Sequence, residues 1–217
     1  MASGVALAAD NDIVIKAVAY RLSPDFWPGH GTTLTIGLLG TSRYVIPQRL
    51  KRARLADCAA ALAEFNSLLA VAHTFEPSET EVAMAADIEA AAQAAGLPLD
   101  NGESLLSVLV IERGVPVFET GDKRAISTLE QLRGVAGLER LDGRLRCLEQ
   151  VVWRVVGSQQ EVLRVATAIC REKEIDTALA ICFQCHSPGE VPHAAVLDGL
   201  RSYIEDLRKH APRLLAS

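Results

Sequence analysis

The chain has 217 residues, enough for one good hydrophobic core or for one domain with an appendage. It is 49% hydrophobic with 5% aromatics and abundant alanine, the composition of a helix-rich globular protein and not of a disordered one. A net charge of −5 argues against a broadly basic nucleic-acid surface though not against a local basic patch, no apolar run is long enough to span a bilayer, and no basic residue precedes Lys16, so the N-terminus does not read as a secretory signal.

In chain order, residues 5–9 read as a short buried strand that ends in Asp10-Asn11-Asp12, and residues 13–20 read as a helix. A strand that ends in acids and turns into a helix is a common way to hold a metal or phosphate at a sheet edge; a plain helix N-cap is the alternative for Asp10 or Asp12. Residues 23–31 form a turn-rich loop, and residues 32–39 are apolar and ambiguous between strand and helix. Residues 44–46 read as a short strand. Pro47 then suits the first turn of a long helix through Ala72. The start of that helix carries Arg43, Arg49, Lys51, Arg52 and Arg54, the densest basic cluster and the one plausible phosphate-facing patch, with a solvated helix face as the alternative.

Ser78-Glu79-Thr80-Glu81 has the spacing of a capping box, so Glu79 and Glu81 read as structural. That helix stops at Gly96. Residues 97–126 are the stretch around which the chain is organised. Asp100 sits at an N-cap position, Glu103 follows three residues later, and Leu105, Leu106 and residues 108–111 run with almost no polar break, so the helix is buried on most sides. Gly114 ends it, residues 116–118 form an apolar strand, and Thr120-Gly121-Asp122 follows. Helices then run from Lys123 to about Leu132, from Ser158 to about Lys173, from Asp176 to about Phe183 and from about His193 to Leu215. Residues 145–156 begin as a last strand and turn helical. The division is an α/β domain over residues 1–150 and a helical C-terminal extension over 151–217, packed on it as one unit.

Asp10, Glu103 and Asp122 thus lie on three separate elements, each at an element boundary. Hard cations such as Mg²⁺ or Mn²⁺ want carboxylate oxygens plus water, and such ions activate water and stabilise the leaving oxygen of a phosphodiester. Glu103 also completes a capping box with Asp100, a role compatible with the first.

At these residues the chain resembles the PIN-like domains, the fold of many metal-dependent ribonucleases. The resemblance covers about residues 4–126. Ala9-Asp10-Asn11-Asp12-Ile13-Val14-Ile15 is similar to the family's first strand, Leu99-Asp100-Asn101-Gly102-Glu103-Ser104 to the "GE" form of its third acidic position, and Thr120-Gly121-Asp122 to the acidic end of its fourth strand. It implies a three-layer α/β/α fold with a short, mostly parallel sheet and predominating helices. It implies a Mg²⁺- or Mn²⁺-dependent endoribonuclease in which Asp10, Glu103 and Asp122 are catalytic and hold the metal, Asp12 assists, and Lys123 with Arg49, Lys51 and Arg52 faces the phosphates of RNA. A protein partner or antitoxin-like inhibitor, a second copy of the chain and a cytoplasmic setting without a membrane complete that expectation. In one respect the chain departs from the family. The helix after the second strand usually brings a further Glu, and residues 46–52 here supply bases; Asp57 and Glu64 match no motif. A degenerate, non-catalytic PIN-like module is therefore the alternative. A more distant one is a haloacid-dehalogenase-type phosphatase, from Asp10-Asn11-Asp12 read as its DxD nucleophile motif.

Five cysteines, an odd number without framework spacing, read as free thiols in a reducing compartment. Cys182-x-x-Cys185-His186 matches the c-type haem pattern, and with His193 it offers a zinc set, but half-buried core thiols are the simpler reading; Cys58, Cys147 and Cys170 read as core. Trp27 and Trp153 read as packing residues.

Overall fold

The structure, a computed structural model, describes residues 4–187 and 189–217. Five short strands build one all-parallel sheet: β1 (Leu7–Ala9), β2 (Ile36–Leu39), β3 (His73–Phe75), β4 (Val117–Thr120) and β5 (Leu145–Cys147), in the spatial order β3-β2-β1-β4-β5. Parallel strands need long crossovers, here helical ones, and these cover both faces. The fold is a helix-rich three-layer α/β/α sandwich, as the sequence predicts.

The strands are buried almost throughout, so both faces are apolar. Leu7, Ala9, Ile36, Leu38 and Val117 face one core, and Ala8, Phe75, Phe118, Leu145 and Cys147 the other. The first core is filled by α1 (Asn11–Ala19), α2 (Ser23–Phe26), α3 (Ser42–Arg52), α4 (Cys58–Val71), α8 (Leu148–Val155), α9 (Gln159–Arg171), α10 (Thr177–Cys182) and part of α11 (His193–His210). The second is filled by α5 (Glu79–Ala94), α6 (Asn101–Glu112), α7 (Lys123–Gln131) and the end of α11. Val151, Val162 and Leu200 from the last third share the core of Ile13 and Val14. Between the sheet's centre and β3, Gly37 leaves room for the Phe75 ring, which a Cβ there would strike. No helix among the described residues is long and apolar enough to cross a membrane.

The sequence reading fails locally in several places: residues 23–26 of the expected loop are helix α2, and the last helix ends at His210 rather than at Leu215. Residues 44–46 are not a strand: they lie in α3, where Ser42, Ile46 and Leu50 form the buried face and Tyr44 is 67% exposed. Three apolar residues in a row cannot distinguish a strand from one turn of a half-buried helix. The long helix through Ala72 is two helices. Ala53 leaves helical geometry, Asp57 caps α4 by accepting the Ala60 amide at 2.9 Å, and the Ala56 amide is captured by the Glu172 carboxylate at 3.0 Å. Pro47 therefore lies inside α3 and not in its first turn. Strand β3 has no signal in the sequence, since His73-Thr74-Phe75 is too short to show a period.

Candidate active site

In a parallel sheet, ligands bind beyond the carboxyl ends of the strands where the strand order reverses, and here that point lies between β1 and β4. Asp10 is the first residue past β1. It caps α1, with Oδ1 accepting the Ile13 amide at 2.7 Å. Its other oxygen accepts the Thr120 hydroxyl at the end of β4. The same Thr120 oxygen accepts the Asp122 amide at 3.1 Å, so one side chain ties Asp10 to the turn that carries Asp122. Asp122 caps α7 through the Arg124 amide at 2.8 Å. Glu103 arrives from the first turn of α6, its Oε2 accepting the Asp100 amide at 3.0 Å. Gly121 is required by close approach: a Cβ there would strike the Asp12 carboxylate.

Asp10, Asp12, Asp100, Glu103 and Asp122 line one cavity of about 660 Å³ together with Lys16, Arg49, Lys123 and Arg124. Its acids fall into two kinds. Burial, and then the negative charges of Asp122, Asp10 and Asp100, push Glu103 up to about 8 against the opposing Asp100 amide. Burial and Asp12 push Asp10 up to about 6, against the Ile13 amide, Thr120 and Lys16. Neither acid has an ion-pair partner among the described residues. Asp122, by contrast, lies below the usual carboxylate range, because the Arg124 guanidinium at 3.0 Å and the backbone amides outweigh its burial. Asp12 is clamped by Lys16 at 2.6 Å.

Lys16 stands at the centre of a small cage. Its Nζ lies 2.6 Å from Asp12, 2.8 Å from Asp176 and 3.5 Å from the Gly121 carbonyl. Burial works against its charge, but the two carboxylates prevail and keep it protonated. The predicted phosphate-facing bases separate in space. Arg49 lines the cavity, and its side chain has no partner among the described residues. Lys123 also lines it, but its Nζ is bonded to the buried Glu149 and lies 5.2 Å from the centre of the Tyr203 ring. Lys51 and Arg52 are exposed in the last turn of α3 and do not line the cavity; positive charge there complements the helix dipole.

The chain matches no family model and no curated protein.

A hard divalent cation suits this donor set, which is all oxygen and includes two buried acids that make no ion pair among the described residues. Among the described residues, however, no three Asp, Glu, His or Cys side chains stand close enough together to hold an ion as they are. Asp122 is turned to Arg124 and Asp12 to Lys16. Coordination would need Arg124, 78% exposed at its side chain, to release Asp122.

Lys16, Asp176, Thr120 and Arg124 also belong to this site, beyond the residues the sequence pattern assigns to it. Lys16 had a signal, being the one cation in a largely apolar helix and four residues from Asp12. Asp176 had none, since it reaches the site from the far end of the chain. The cysteine reading needs correction: Cys170 and Cys185 form a disulfide, and Cys58, Cys147 and Cys182 are free. An odd count leaves one thiol over but does not forbid a pair among the rest. The zinc set is dispersed as well, since Cys185 is in the disulfide, His193 Nε2 bonds the Val156 carbonyl at 2.8 Å and His186 lies 3.4 Å from Lys173.

Proposed function

We propose that the protein is a Mg²⁺- or Mn²⁺-dependent endoribonuclease of the PIN-like kind. The observation that carries this reading is the meeting of Asp10, Glu103 and Asp122, from the ends of β1 and β4 and the start of α6, in one cavity at the switch point of a β3-β2-β1-β4-β5 parallel sheet. A divalent cation held by Asp10, Glu103 and Asp122, with Asp12 assisting, would supply an activated water and stabilise the leaving oxygen of a phosphodiester. The chain's own residues supply the rest. Thr120 and the Ile13 amide hold Asp10 in one orientation. Arg49, which lines the cavity and has no side-chain partner among the described residues, is the side chain suited to a substrate phosphate, since a guanidinium matches phosphate geometry with paired donors. Arg124 exchanges Asp122 for the same phosphate. Burial and the neighbouring acids raise Glu103 to about 8, so cation binding there would release its proton and should tighten as pH rises.

The second reading is a non-catalytic phosphate-binding module. It is favoured by Arg49, which lies in the helix where the family pattern has an acid, and by the ion pairs that occupy Asp12 and Asp122. End-labelled single-stranded RNA, incubated with the protein and titrated with Mn²⁺ and Mg²⁺, separates the two. The nuclease reading expects metal-dependent cutting that falls at least a hundredfold in both Asp122→Asn and Glu103→Gln. A folded wild-type protein that binds RNA but does not cut it at any metal concentration supports the module instead.

A further inference from the structure

A second recess lies away from the carboxylate cavity, against the edge strand β5 between α8 and α11, with a volume of about 390 Å³. That is within the range of small-ligand pockets. Four arginines line it: Arg146 from β5, Arg154 from α8, and Arg201 and Arg208 from one face of α11. Trp153 completes it, and among the described residues Glu205 is the one acidic side chain in the lining.

The guanidiniums are held in place from behind. Glu119 in β4 has no exposed surface, a costly position for a carboxylate unless it is fully partnered. It is partnered by Arg154 at 2.8 Å, by its cross-strand neighbour Arg146 at 3.6 Å and by the Trp27 indole at 2.7 Å. Arg208 is anchored by the Ala216 carbonyl at 2.7 Å and the Leu215 carbonyl at 3.4 Å and makes no ion pair among the described residues. Arg201 lies 5.4 Å from the centre of the Trp153 ring and pairs, outside the recess, with Asp198 at 3.2 Å. Preoriented guanidiniums are phosphate donors, and an indole beside a guanidinium offers the two surfaces on which nucleobases stack.

We infer that this recess binds a nucleotide, with its phosphate among Arg146, Arg154 and Arg208 and its base against Trp153 and Arg201. The site stands apart from the carboxylate cavity and does not depend on the nuclease reading. Its ligand is either a free mononucleotide or one residue of a longer strand.

The chain's two tryptophans make the test direct. Trp27 is buried and serves as an internal reference, while Trp153 is only partly buried. The full chain, in EDTA so that metal-dependent binding elsewhere is silent, is titrated with 5′-AMP, with a hexa-adenylate and with inorganic phosphate while tryptophan emission is followed. Saturable quenching by 5′-AMP or by the hexamer, absent in Trp153→Phe and weakened about tenfold in Arg201→Gln, supports the site. Preference for the hexamer identifies a strand and parity with 5′-AMP a free nucleotide. Arg201 is surface-exposed, so Arg201→Gln is expected to fold, which circular dichroism checks. No saturable quenching by either nucleotide, unchanged affinity in Arg201→Gln, or binding of inorganic phosphate as tight as that of 5′-AMP overturns it.

Discussion

Helices α5 and α6 pack against each other, and each begins with a Glu that reaches back to the amide of its own N-cap. Glu81 accepts Ser78 N at 2.7 Å and Glu103 accepts Asp100 N at 3.0 Å. Both residues are largely buried, and the local sequence pattern is the same. Their acidities diverge in opposite directions. The Arg113 guanidinium, bonded to both Glu81 oxygens at 2.8 Å, brings that carboxyl down to about 2. Burial, with Asp122, Asp10 and Asp100 nearby, takes Glu103 up to about 8. A capping box is a local device, whereas the charge it carries is decided by what the fold brings opposite. On α5 that is a cation and the acid is structural; on α6 it is other acids, and the acid becomes a titrating group in a cavity.

The largest expected effect follows from removing the ionisable group on the α6 side. Below about pH 4.5 Glu103 is neutral in both folded and unfolded chains and contributes no pH dependence. As pH rises toward 8, the unfolded chain ionises while the folded one does not, so stability is lost progressively across that window. Glu103→Gln keeps an acceptor for the Asp100 amide and removes this loss. The variant should match wild type near pH 4 and exceed it at pH 8.5 by on the order of 3 kcal/mol in urea unfolding. A wild-type protein that is the more stable of the two at pH 8.5 would contradict the account of an uncompensated buried acid.

The α5 side should respond with the opposite sign. Glu81 contributes stability that is fully present above about pH 4.5 and is lost as pH falls toward about 2. Arg113→Met removes both bonds to Glu81 and a third to the Glu76 carbonyl at 2.7 Å. It should cost about 2 kcal/mol at pH 7, and the deficit should shrink as the solution is acidified through that window. Acid and urea titrations of the two proteins, overlaid, would expose a deficit that is constant with pH, which the ion pair does not allow.

Much of this contrast is legible in the sequence, and part of it is not. Both capping boxes, the strand of residues 5–9, the buried helix after Asp100 and the acids at element ends rest on local pattern, and local pattern located them. The identity of each acid's neighbour is a long-range fact. Arg113 meets Glu81 from 32 positions away, and Asp176 meets Lys16 from the far end of the chain. The recess at Trp153 is the same kind of case. Its arginines are scattered over residues 146–208 and show no interleaving with aromatics along the chain, yet α8 and the last helix bring them to one place. Residues 44–46 are the reverse case, because three apolar residues fit a strand and a turn of the helix α3 equally well.

The smallest effect on stability gives the finest test of the cavity's electrostatics. Arg124 is exposed, so Arg124→Gln should leave the melting temperature unchanged within error. Its influence is on Asp122, the charge that Glu103 faces. With the guanidinium gone, Asp122 stands uncompensated, and the Glu103 carboxyl should titrate above its wild-type value. Asp122→Asn removes the same charge outright and should move Glu103 the other way, toward the ordinary range for a glutamate. Carboxyl ¹³C shifts followed against pH would resolve the two displacements. Opposite shifts in the two variants would mean that the acids of the cavity act on one another as a single charged group, the condition under which a divalent cation is attracted. Identical titrations in all three proteins would mean that burial alone raises Glu103, and the case for a cation would lose its electrostatic basis.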